Sequence, residues 1–427
     1  MAWNVFYNCF NIIFVDSQLS SMPKPITDVE KIYIKELLSN VLTKSKISLS
    51  STAGYHQLQT AIQNITTEYI SVSTIKRLFS KVYTNNPTQA SLDIFSKFIG
   101  FNTWQLYLND ARQYDKYLLQ HELSIIIIQQ KIDVTHIHSL CSKYGHLKEI
   151  QPFIFSIIRL AVEQKNTSFF ETFFTLPNLF NKKYHNEYDF YYLGQAIALA
   201  MRSNAQIAKE VTTTYCQNPL AVQYCIESFV DEDYLNDYYG NWLNQYIKHK
   251  NTEQALTFYY TLKYKNAYLN NKKQEAKKWY QSLTELNPTN KISKIVEARY
   301  FAILLIEEQH TTTSKVYKRI AKTAKKANGF YVDYALYLLR YLFMAKQYTW
   351  MCNIVTLFDK YPSNTDEHWL VKSNNALQLY KSFVYHLQKQ DKQALKIFHT
   401  VNPQLFDPFM YNCMMNDYNT IKTALAI

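Results

Sequence analysis

Glycine and proline are nearly missing from this sequence, at 6 and 10 residues of 427. Average usage would supply about three times as many. A chain so poor in turn-forming residues is a weak candidate for the many tight turns of a β-sandwich or barrel. It also lacks material for the glycine-rich loops of α/β nucleotide-binding folds. Helix interiors need neither residue, so the expectation is an all-α protein. Apolar residues make up 47% of the chain, enough for a sizeable core, which excludes wholesale disorder. The length favours two or more domains, or one long repeat array.

Lysine and arginine number 46 against 34 aspartate and glutamate, a net charge of +12. That balance suits nucleic acid or another acidic partner. Only seven of the basic residues are arginine, and the chain is also rich in Asn, Ile, Phe and Tyr. Codon bias produces such a mixture as readily as a binding surface does. The cysteines, Cys9, Cys141, Cys216, Cys225, Cys352 and Cys413, form no Cys-x-x-Cys pair. They fit reduced thiols in a cytoplasmic protein better than a disulfide framework.

Residues 1–21 contain the apolar stretch Trp3–Val15, too short to span a membrane. It has neither the basic flank nor the cleavage site of a secretory signal. We read it as upstream read-through or a disordered tail before a start at Met22, with a membrane-associating tail as the competing reading. No other segment is apolar enough to span, and no membrane partner is expected.

Residues 22–110 read as a small helical domain. A helix from Thr27 to Leu42 opens with a capping box, Thr27 and Glu30. A shorter one fits Tyr55–Ile62. In the next, Ser71 is the N-cap, and Ile75, Leu78, Phe79 and Val82 fall on one side. The other side carries Ser73, Lys76, Arg77, Ser80 and Lys81. After the polar turn Asn85-Asn86-Pro87-Thr88, a helix from Ser91 ends at Gly100, and another starts at Asn102 or Thr103.

Ser71-x-Ser-Thr-Ile-Lys-Arg-Leu-Phe79, a polar turn with proline, and Ser91-Leu-Asp-Ile-Phe-Ser-Lys-Phe-Ile-Gly-Phe101 resemble a lambda-repressor-like helix-turn-helix. The resemblance extends to bacterial regulators that place such a head before helical repeats. It implies that the Ser71–Lys81 helix enters the major groove of double-stranded DNA. Short polar and basic side chains at Ser73, Lys76, Arg77, Ser80 and Lys81 suit base edges and phosphates. The span from Leu58 to Ser71 is longer than the usual turn and has no glycine. A divergent DNA-binding head and one retained only for packing or homodimerisation therefore both stay open, as does a capped helix with a solvated basic face.

Residues 111–427 read as successive helices with short polar breaks. Three breaks share a phrase ending in Ala255, Ala276 and Ala394, with an aromatic four residues on at Tyr259, Tyr280 and Phe398. Pro288 and Pro403 follow, and Tyr246 and Tyr385 precede. The small-then-large pattern resembles the second helix of tetratricopeptide (TPR) hairpins, with repeats of about 34 residues. It implies an α-solenoid of roughly nine helix pairs, with a peptide or protein bound in its concave face.

Lys315, Lys318, Arg319, Lys322, Lys325 and Lys326 fall on one face of a helix, opposite Val316, Ile320, Ala324 and Ala327. No acidic residue lies between Ser314 and Asn328. The face would grip phosphates or an acidic partner, or is a solvated outer surface. His136, His138, Cys141 and His146 are zinc-binding residue types, but at these spacings they do not share a helical face, so no metal is expected. Ser73-x-x-Lys76 matches a nucleophile motif without its companion elements. With no phosphate loop, dinucleotide glycines or His-Glu-x-x-His, neither an enzyme nor a cofactor is expected. The expectation is a DNA-binding transcriptional regulator whose repeats receive a peptide or protein signal, as in the peptide-sensing regulators of Gram-positive bacteria that it resembles. The alternative is an interaction scaffold whose head leaves DNA alone.

Overall fold

The computed structural model of the chain describes residues 26–80, 87–288, 292–308, 310–325, 331–360 and 370–426. Among them every regular element is helical and no strand occurs. The fold class is all-α. The chain divides into two compact units, the first ending at His121 and the second starting at Glu122.

The first unit contains α1 (Asp28–Ser45), α2 (Thr52–Thr66), α3 (Val72–Phe79), α4 (Gln89–Ile99) and the start of α5 (Trp104–Gln129). A single helix, α5, thus runs through residue 110, where the sequence suggested a domain end. The capping residues act as their side-chain chemistry dictates. Thr27 Oγ1 accepts from the Glu30 N–H at 3.2 Å, and the Glu30 carboxylate accepts from the Thr27 N–H at 2.8 Å. Ser71 Oγ accepts from the Thr74 N–H at 3.1 Å, and Gly100 closes α4 at φ 114°.

Helix α2 is longer than Tyr55–Ile62 at both ends. Ser51 caps it four residues before Tyr55, accepting from the Gly54 N–H at 3.3 Å. A Cβ on Gly54 would lie 2.1 Å from the Ser48 carbonyl oxygen, so glycine permits this close start. At the other end Thr67 takes the left-handed conformation, φ 61°, where glycine is usual.

The second unit begins with α6 (Val134–Tyr144), α7 (Ile150–Glu163), α8 (Thr167–Thr172), α9 (Glu187–Ser203), α10 (Ala205–Glu210), α11 (Thr212–Gln217), α12 (Pro219–Ala221) and α13 (Tyr238–His249). A π-helical turn, Val222–Glu227, follows α12. Then come α14 (Glu253–Leu269), α15 (Lys273–Leu286), α16 (Lys294–Glu307), α17 (His310–Lys325), α18 (Tyr331–Met344), α19 (Tyr348–Lys360), α20 (Val371–Leu387), α21 (Asp391–Phe398) and α22 (Tyr411–Ala424).

From α14 onward the packing is pairwise: α14 with α15, α16 with α17, α18 with α19, and α20 with α21. The first helices also touch in succession, α14 to α16 to α18 to α20. These first helices begin at Glu253, Lys294, Tyr331 and Val371, about 40 residues apart, against about 34 in the repeat that the sequence resembles. Ala276 and Ala394 are buried in the second helices α15 and α21, but Ala255 belongs to α14, a first helix. The three phrases therefore do not mark equivalent positions.

At the heart of this unit three consecutive acids are almost wholly buried. Asp231 accepts from Arg202 of α9 at 2.8 Å and from the Tyr238 hydroxyl at 2.7 Å. Glu232 Oε2 accepts from Lys265 of α14 at 2.6 Å and also from Arg340 of α18. Asp233 accepts from Arg202 at 3.0 Å and from the backbone N–H groups of Asn412 and Cys413, each at 3.1 Å, which start α22. Desolvation acts to raise the Glu232 carboxyl, but the charges of Arg340, Lys265 and Arg299 outweigh it and hold it at about 2. This stabilisation is complete above the unfolded value of 4.5 and is lost as pH falls from there toward 2. Glu232→Gln leaves two buried cations without their counter-charge and should cost about 3–5 kcal/mol. Urea denaturation at pH 7 measures that loss, and the gap between wild type and Glu232→Gln should narrow as the pH is lowered below 4.5.

Candidate functional site

Helix α3 separates its side chains cleanly. Ile75 and Leu78 are buried, and Phe79 packs edge-on against Phe95 of α4 with centroids 5.7 Å apart. Ser73, Lys76, Arg77 and Ser80 are exposed. The helix stops at Phe79, short of the expected Lys81. Ser80 is its C-cap in extended backbone, and the Ser80 hydroxyl donates to the Arg77 carbonyl at 2.9 Å. Ser73, Lys76 and Arg77 thus share the helix surface and Ser80 follows it. Lys81 lies outside the described residues.

The long interval between Leu58 and Ser71 is mostly helix. Because α2 continues to Thr66, the connection to α3 is residues 67–71. Neither α2 nor α3 contains an acidic residue. Glu68, in the connection, is paired with Lys97 of α4. The Lys76 ammonium lies 5.6 Å from the ring centroid of Tyr55 on α2, and Tyr69 in the connection is 67% exposed. The sequence reading left out both tyrosines, since an aromatic in a helical pattern is usually core.

Arginine usage singles out one residue. Arg112 lies over Tyr33, Arg159 pairs with Glu163, and Arg202 bridges Asp231 and Asp233. Arg299 lies over Tyr337, Arg319 faces Glu297, and Arg340 binds Glu232. Among the described residues, Arg77 alone of the seven arginines has a guanidinium with no ion pair, ring contact or hydrogen bond.

The basic face of α17 is present in part. Lys315, Lys318, Arg319, Lys322 and Lys325 are exposed, with Val316, Ile320 and Ala324 buried. Lys326 and Ala327 lie outside the described residues. The absence of acids along this helix does not extend to its neighbour. Arg319 sits 4.0 Å from the Glu297 carboxylate of α16 and 4.6 Å from the Phe301 ring centroid. Arg319 is therefore a packing residue as well as a surface cation. The four lysines make no ion pair among the described residues.

His136 is half-buried and lies 3.2 Å from Glu122, and His138 is exposed. Cys141 and His146 are buried, and burial pushes the Cys141 thiol up to about 12. No cluster of metal-ligating side chains occurs among the described residues. Nor, among them, is any helix long and apolar enough to cross a membrane. Compared with protein-family models, curated proteins and solved structures, the chain gives no match.

Substitution separates the two kinds of cation on α17. Arg319→Ala should cost about 1 kcal/mol through its lost ring and carboxylate contacts. Lys318→Glu with Lys322→Glu should change stability by less than about 0.5 kcal/mol. Equilibrium urea curves resolve the difference.

Proposed function

We propose that the protein is a DNA-binding regulator, in which α3 meets duplex DNA and the helix pairs of the second unit receive a peptide or protein signal. The observation that carries this reading is the uncommitted Arg77 guanidinium, beside exposed Lys76 and Ser73, on a pair of helices without an acidic residue. Arginine is the side chain whose fixed fork matches phosphate and the O6/N7 edge of guanine. Lys76 suits a phosphate contact, held beside the Tyr55 ring. The hydroxyls of Ser73 and Ser80 are short enough to let a helix approach a groove closely, and that of Ser80, which donates to the Arg77 carbonyl, keeps lone pairs with which to accept there.

α2, its connection and α3 support the resemblance to a helix-turn-helix in order and packing: α3 packs on α2, α2 on α4, and α4 on α1. Thr67 supplies the left-handed residue that a glycine provides in typical members. The activity proposed is recognition alone.

Binding of the full chain to a random duplex pool, titrated with salt, tests the proposal. Wild type should enrich a sequence and lose affinity steeply as salt rises. Lys76→Glu with Arg77→Glu should lower affinity about 100-fold or more and flatten the salt slope by about two. Ser73→Ala should alter the enriched sequence and leave the slope alone. Absent binding, or binding indifferent to the reversal, removes DNA from the account and leaves an interaction scaffold.

A further inference from the structure

Where α14, α18 and α22 meet, the second unit holds a cavity of about 100 Å³ lined by Lys265, Arg340, Asn416, Asp417, Leu269 and Met344, among others. At about 30 Å³ per water molecule, that is room for a few heavy atoms. Lys265 and Arg340 are each only 3% exposed. They converge on one oxygen of Glu232, and Arg299, also buried, acts on the same carboxylate by charge. Three buried cations therefore act on the Glu232 carboxylate, and two of them, Lys265 and Arg340, act on Asp417 as well.

Arg340 has donors to spare. One terminal nitrogen serves Glu232 and the other meets the Met410 sulfur, a weak acceptor, at 2.9 Å. Its Nε has no hydrogen-bond partner. The Lys265 ammonium makes one hydrogen bond, to Glu232. The Asp417 carboxylate, also in the lining, is already engaged, accepting from the Tyr380 hydroxyl at 2.6 Å. Burial pushes that carboxyl up, against the opposing charges of Arg340 and Lys265. Leu269 is 46% exposed and, with Met344, adds an apolar side to an otherwise polar lining.

We propose that this cavity binds a carboxylate carried on a short apolar group, with the carboxylate received by Lys265 and Arg340 and the apolar part resting on Leu269 and Met344. Such a ligand supplies acceptor lone pairs for Arg340 Nε and the remaining Lys265 protons, and its alkyl group covers apolar surface that water otherwise wets. The site stands apart from the DNA reading, because α3 belongs to the other unit and either can fail alone.

Calorimetric titration of the full chain with 4-methylpentanoate, with its amide and with inorganic phosphate tests this. The acid should bind saturably at one site, and the amide should bind at least tenfold more weakly or not at all. Leu269→Glu, at an exposed position that tolerates substitution, should weaken the acid at least tenfold with an unchanged melting temperature. Lys265→Met, where it folds, should also weaken the acid at least tenfold, with a lowered melting temperature because the pair with Glu232 is lost. Equal binding of acid and amide, no binding of the acid, tight binding of phosphate alone, or an acid affinity unmoved by Leu269→Glu would each overturn the proposal. The tripeptide Gly-Gly-Leu, with free and amidated terminus, identifies the source. Tighter binding of the free peptide than of 4-methylpentanoate points to a chain terminus, and the reverse order points to a free acid.

Discussion

The second unit depends on how Asp231, Glu232 and Asp233 are paired. Three adjacent carboxylates are expensive to remove from water, and each is tolerable only with its partners in place. Because neighbouring residues in a short helical turn point different ways, the three reach different elements: α9 and α13 from Asp231, α14 and α18 from Glu232, α9 again and the start of α22 from Asp233. Asp233 satisfies first-turn N–H groups of α22 that its own N-cap residue, Met410, leaves uncapped. A residue preceding α13 thus fixes where the last helix begins. Generic apolar packing would let helices slide by a turn; this set of charges does not.

Tyrosine extends the same principle through the stacked helices. The 36 tyrosines supply large apolar bodies with one polar tip, and a buried tip needs an acceptor. Tyr246 donates to Glu227, Tyr264 to Glu307, Tyr380 to Asp417 and Tyr224 to Glu187, while Tyr239 and Tyr341 donate to the carbonyls of Ile226 and Thr261. Each bond crosses from one helical segment to another. Glu187 and Glu307 stay exposed and Glu227 and Asp417 half-buried, so each tyrosine ties a buried ring to an acid at the edge of the core.

Much of the local structure was legible in the sequence because it is decided within a few residues. The Thr27–Glu30 box, the Ser71 cap, the Gly100 stop and the division of α3 into Ile75/Leu78 and Ser73/Lys76/Arg77 all follow from spacing. The true start of α2 was missed because Ser51 caps it beside a glycine that reads as a helix breaker until Ser48 is seen against it. The Ala phrase recurs on α14 and α15, successive helices of one pair, so its local similarity joins two different positions. The acidic triad was illegible for a different reason. Arg202 and Arg340 lie 29 and 108 residues from their carboxylates, and Asp-Glu-Asp with no such partners in view reads as a solvated loop.

The same long-range pairing sharpens the difference between the two cationic surfaces. Charge alone would rank α17 above α3, since it carries more exposed cations. Its arginine, however, is spent on Glu297 and Phe301, and what it offers outward is lysine, a hydrated point charge without directional preference. Such a face can attract an anion but has little means of choosing among sequences or shapes. Helix α3 offers fewer charges, yet one of them is a guanidinium with its whole fork open, flanked by hydroxyls with lone pairs that can accept. In a chain with only seven arginines, where burial or pairing has claimed nearly all the rest, leaving Arg77 uncommitted on an acid-free helix pair has no packing explanation. Recognition of a ligand with paired acceptors gives it one.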